Sequence, residues 1–148
     1  MEFIKHYLDY GVIGILGVMS LFVVGFSIER YLYYRSVRVS QFVSFEDLQV
    51  NLTQHLTLIS SVAANAPYIG LLGTVFGIMV TFDDIGNSGN IDTQSIMVGL
   101  ALALKATAMG LFVAIPAMIF YNALLRRVEV LLAEWKSCFD EVSPSETL

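Results

Sequence analysis

GLALALKATAMGLFVAIPAMIFYN, Gly99 to Asn122, is apolar almost throughout and carries a single charge, Lys105. As a helix rising ~1.5 Å per residue, the stretch exceeds the ~30 Å hydrocarbon depth of a bilayer and reads as a membrane span. A lysine at the centre of such a span costs roughly 2.5–3.5 kcal/mol on insertion scales, which makes Lys105 a candidate functional residue. Pro116 removes a backbone donor and is expected to loosen the helix, and Tyr121 with Asn122 brings polar groups near its end.

Outward from this stretch, the apolar run reaches from Ile96 to Leu125 and closes on Arg126 and Arg127. Tyr10 to Ile28 is a second run without charge, and a third ends at Phe82. The chain is 56% hydrophobic and 14% charged, which excludes an ordinary soluble domain. The fold expected is an all-α membrane protein with spans at about residues 10–28, 61–82 and 96–122. Arg30, Arg35 and Arg38 follow the first span, whereas only Lys5 precedes it among the lysines and arginines. The positive-inside rule then places the N-terminus outside and the C-terminus in the cytoplasm. It makes about 30–58 a cytoplasmic loop, about 83–95 an outer loop and about 123–140 a cytoplasmic helix.

Ser44 and Asp47 have the spacing of a capping box, and Phe45, Leu48, Leu52, Leu56 and Ile59 follow at helical steps. One helix from Phe45 to Phe82, kinked at Pro67, would be about 57 Å long and project well beyond the bilayer. Leu124, Val128, Leu131, Trp135 and Phe139 extend the last helix in the same way. Two long helices with apolar stripes and no separate soluble core predict an oligomeric helical bundle.

Ala63, Ala66, Gly70, Gly73, Thr74, Gly77 and Thr81 fall within about 100° of one helix face. Gly99, Ala103, Ala106, Gly110, Ala114 and Ala117 fall within about 80° of another, with Thr107 at its edge. Small faces let helices approach closely in lipid, so the two are expected to pack. Several such pairs around an axis would form a hollow bundle lined by the hydroxyls of Thr74, Thr81 and Thr107. The threonines have a second reading, as bonds back to their own helix carbonyls. Lys105 lies about 160° around the helix from Thr107, so the two do not share one pore axis. Lys105 is open to two readings: it snorkels to the interface, or it meets an acid in a complex, since no acid of this chain stands at an obviously comparable depth.

The inventory is poor in reaction chemistry. His6 and His55 have no serine–acid or paired-carboxylate companions, no phosphate-binding glycine–lysine loop occurs, and Cys138 is the single cysteine. No enzyme activity, metal or cofactor is expected, and a net charge of −5 argues against nucleic acid. The partners expected are membrane lipids and other protein chains.

Two segments carry a family likeness. Ala66 to Met79 (APYIGLLGTVFGIM) resembles the APxxGLLGTVxGM segment of the MotA/TolQ/ExbB proton-channel family, and Ala106 to Asn122 resembles its ATAxGLxxAIPAxxxYN segment. The likeness is strongest to the ExbB branch of TonB energy transduction. It implies a proton-motive-force-driven motor subunit, a pentamer around the transmembrane helices of an ExbD-like dimer with a TonB-like protein as output, in the bacterial inner membrane. It implies that Thr74 and Thr107 line the space around the partner helices, whose aspartate carries the proton. Relatives usually carry a glutamate where Leu102 stands here, so Lys105 is the only ionisable residue nearby and reverses the local sign. A TolQ-like envelope-maintenance subunit and a passive oligomeric scaffold are the rival readings.

Overall fold

The computed structural model describes residues 2–88 and 92–142, with four α-helices among them. These are α1 (Glu2–Ser36), α2 (Phe45–Thr53), α3 (Leu56–Ser88) and α4 (Thr93–Val142), with a short 3-10 turn at Val39–Gln41. Three segments, Tyr10–Ser36, Leu56–Asn87 and Thr93–Cys138, are long and apolar enough to cross a membrane. The chain is an all-α membrane protein.

The helix expected to run unbroken from Phe45 to Phe82 is in fact two. The break falls at Gln54 and His55, where His55 adopts φ 65°. A positive φ is uncommon outside glycine, but histidine is among the residues that tolerate it. The His55 carbonyl accepts from the N–H groups of Leu58 and Ile59 and starts α3. Leu48, Leu52, Leu56 and Ile59 are all buried on both sides of the break. The apolar stripe therefore crosses it undisturbed, which is why spacing does not reveal it. The turn lets α2 lie against α4.

Caps fix two of the starts. The Ser44 hydroxyl accepts from the Asp47 N–H at 3.1 Å, as the capping box predicts. At α4 the Asp92 carboxylate accepts from the N–H groups of Gln94 and Ser95, both at 3.2 Å, and from the Ser95 hydroxyl at 2.6 Å. Those donors, the Ser95 hydroxyl foremost, hold the Asp92 carboxyl below the usual carboxylate range. Pro67 and Pro116 lie within α3 and α4, and both helices continue through them.

α3 runs antiparallel to α4, pairing Thr81 with Gly99, Gly77 with Ala103 and Gly70 with Gly110. α1 lies against both. Leu16, Ala66, Val113 and Ala114 form one core in the half nearer the N-terminus. A larger one, including Tyr34, Leu48, Leu52, Leu124 and Val128, ties the ends of α1 and α4 to α2.

Candidate functional site

The two small faces meet along the α3–α4 seam. A Cβ built on Gly70 would lie 2.7 Å from the Ala106 carbonyl oxygen and 3.0 Å from the Gly110 Cα, nearer than real Cβ atoms come to backbone. Gly110 is equally tight against the Ala66 carbonyl, also at 2.7 Å. Gly77 faces the Ala103 Cβ, Gly99 faces the Thr81 side chain, and Gly73 receives both Ala106 and Val12 of α1. Glycine is required here because the partner is backbone or the stem of a short side chain, and neither can move aside.

Hydroxyls bridge the seam at the level of Gly70. Thr74 Oγ1 donates to the carbonyl oxygens of Gly70 (3.3 Å) and Ala103 (3.1 Å), and it hydrogen-bonds the Thr107 hydroxyl. Thr107 Oγ1 also reaches the Gly70 carbonyl at 3.4 Å. Thr81 donates to the Gly77 carbonyl of its own helix at 2.8 Å. Thr74 and Thr81 are buried between the helices of one chain, while Thr107 is half-buried at the seam's edge. The back-bonding reading has its counterpart, since Thr81 bonds back to its own helix and Thr74 bonds both back and across the seam.

Lys105 and Pro116 lie elsewhere, on the exposed surface of α4. Among the described residues Lys105 has no ion-pair partner. Leu102, at the position where the family acid was expected, is 46% exposed. A Cβ at Gly11, Gly14, Gly17 or Gly25 would meet nothing within 4 Å, so α1's glycines serve no packing inside the chain. Among the described residues no group of three or more His, Cys, Asp or Glu gathers.

A polar junction that sequence reading missed lies where α1, α2 and α3 meet. Arg30 is only 5% exposed, and donates to the Asn51 carbonyl (3.2 Å) and to Glu29 Oε1 (2.8 Å). Tyr34 donates to the Leu52 carbonyl at 2.5 Å, and the His55 ring rests 4.8 Å from Phe26, centroid to centroid. His55 Nδ1 stands 3.5 Å from Glu29 Oε2. Further along, Trp135 Nε1 donates to the Phe42 carbonyl at 3.1 Å and joins α4 to the connection before α2. The available signal was Glu29–Arg30 directly after an apolar run, which reads as a topology mark unless the helix is known to continue to Ser36.

The family model for the MotA/TolQ/ExbB proton channel family matches residues 36–137. The chain belongs to that family. A biopolymer transport protein ExbB from Aquifex aeolicus is 52% identical over 145 residues, 98% of each chain. The ExbB of Helicobacter pylori strain J99 is 48% identical over 136 residues, 92% of this chain and 94% of that one. A Tol-Pal system protein TolQ from Haemophilus influenzae is more distant, 41% identical over 91 residues, which are 62% of this chain and 40% of its own. The family segments at 66–79 and 106–122 contribute Ala66, Gly70, Gly73, Thr74, Gly77, Ala106, Thr107 and Gly110 to the seam.

Proposed function

We propose that this chain is the channel-family subunit of a TonB-type motor, which uses the proton-motive force of the bacterial inner membrane to energise outer-membrane import. The observation that carries this reading is the 52% identity to a protein named ExbB across 98% of both chains, while the TolQ likeness covers only part of each. In this reading the N-terminus lies outside, the chains assemble as a pentamer, and the pentamer surrounds the membrane helices of an ExbD-like dimer that drives a TonB-like protein. The reading assigns the chain no catalysis and no cofactor. Its energy source is the charge moved, since one proton crossing 100 mV supplies about 2.3 kcal/mol, enough to bias a two-state step. The chain's task is to hold a rigid wall against which the partner's helices move, and the seam supplies that rigidity through backbone contact. Thr107, half-buried at the edge, retains surface to offer a partner helix, whereas Thr74 contributes from behind it.

The test is expression of the chain with the neighbouring single-span protein of its own genome, followed by purification and by complementation of import. The expected result is a stable complex whose loss abolishes energy-dependent uptake. A chain that rescues envelope integrity but not uptake would support the TolQ-like rival, and one that is always isolated alone would support a scaffold.

A further inference from the structure

The break between α2 and α3 is held by side chains of α1. A helix leaves its last carbonyls without partners, and at the end of α2 two of them are taken up from outside. Arg30 Nη1 donates to the Asn51 carbonyl at 3.2 Å, and the Tyr34 hydroxyl donates to the Leu52 carbonyl at 2.5 Å. Just beyond stands His55, whose φ of 65° turns the chain into α3. One carboxylate joins this turn to the cap: Glu29 accepts from Arg30 through Oε1 at 2.8 Å, and its Oε2 lies 3.5 Å from His55 Nδ1.

That last contact is unfinished. His55 Nδ1 is buried and has no hydrogen-bond partner, while the ring packs on Phe26, 4.8 Å away between centroids. With its proton on Nε2, a neutral imidazole turns a lone pair toward the carboxylate and gains nothing, whereas an imidazolium offers a charged N–H donor there. Histidine is the side chain that ordinarily changes charge between pH 5 and 8, and this one is 30% exposed, open to protons from water. Among the described residues the ionisable groups facing it come from α1: Glu29, Arg30 and Tyr34. α3 carries no acid or base before Asp83, and Glu46 and Asp47 stand at the far end of α2. α4 meets the junction through Leu124 and Val128, while Arg126, Arg127 and Glu129 are exposed.

We propose that His55 and Glu29 form a proton-operated clasp: protonated His55 closes onto Glu29 and fixes the α2–α3 break to α1, and neutral His55 releases it. The clasp's contribution is complete on the acid side of the histidine range and is lost as pH rises through that range. Arg30 and Tyr34 keep their bonds to the α2 carbonyls in both states, so α2 loosens without detaching. On the function proposed above this end of the bundle faces the cytoplasm, and that reading supplies only the compartment whose pH is sensed. Protons accumulating on that side then tighten the attachment of α2.

The test is amide exchange in α2 and at Leu58 and Ile59, whose N–H groups bond the His55 carbonyl, in the full chain purified in detergent. Rates at about pH 5.5 and about pH 8 are compared after correction for intrinsic exchange. Opening is expected to be about threefold greater at the higher pH, the size of effect a half-exposed ion pair gives. His55→Asn, which tolerates the same positive φ, and Glu29→Gln, whose side-chain carbonyl still accepts from Arg30, should each abolish the difference. No difference in the unaltered chain, or one that persists in Glu29→Gln, overturns the proposal; Glu29→Gln decides it even where His55→Asn disturbs the turn. The measurement involves neither a proton-motive force nor a partner, so its failure leaves the motor reading standing, and failure of the import test leaves the clasp standing.

Discussion

Along the α3–α4 seam the side chains shrink to hydrogen, methyl and hydroxyl, whereas at the junction of α1, α2 and the end of α4 they include Tyr34, Leu48, Leu52, Val128 and Trp135. The contrast is the one expected of a seam in lipid and a junction in water. Within lipid, helices gain nothing by hiding apolar surface from an apolar medium, so association rests on close contact and on hydrogen bonds between helices. Beyond the bilayer, apolar stripes are driven together by water, and large side chains bury the most area. Polar groups divide in the same way. The seam uses short hydroxyls aimed at carbonyls, while the junction uses long donors, Arg30, Tyr34 and Trp135, that span wider gaps to backbone oxygens.

If this division is correct, the largest effect comes from adding bulk where the seam is tightest. Gly70→Leu is expected to destabilise the chain by about 3 kcal/mol or more and to abolish assembly, because its neighbours at 2.7 and 3.0 Å are backbone atoms. Thermal unfolding of the purified oligomer in detergent checks it, and a near-neutral result would break the contrast. Arg30→Met comes next, at about 2 kcal/mol, through loss of charged hydrogen bonds from a buried guanidinium. Its signature is local: amide exchange should accelerate in α2 while α3 and α4 near Gly70 and Gly110 stay protected. Thr74→Val or Thr107→Val should cost only about 0.6 kcal/mol, as hydrogen bonds between membrane helices generally do, and the double variant should be less than additive because the two hydroxyls share a bond.

The smallest effect lies outside the spans, at the α4 cap. The folded Asp92 carboxyl is held below its ordinary value by its donors, so the cap's contribution is complete above the ordinary carboxylate range. It declines as pH falls through that range and is gone below the depressed folded value. Amide exchange at Gln94 and Ser95 should rise only in that acid window, and Asp92→Ala should raise it at neutral pH and remove the acid dependence.

Sequence reading recovered what depends on composition and period. The three apolar runs, both small faces and the Leu48–Leu52–Leu56–Ile59 stripe follow from side-chain size and helical spacing, and these are the features that build the seam. It did not recover what depends on one residue's backbone or on the registration of distant segments. The break at His55 leaves the stripe intact, and the burial of Arg30 depends on α2 folding back to present the Asn51 carbonyl.

The contact between Gly70 and Gly110 has an electrical consequence. Backbones this close leave no width for a file of water, and the Thr74 and Thr107 hydroxyls at that height are already engaged with each other and with carbonyls. Within one chain the seam is an insulator. Any current through an assembly of these chains must therefore pass along the outer surfaces of the α3–α4 pair, where further helices complete the wall. Between α3 and α4 of a single chain there is no room for water to carry protons.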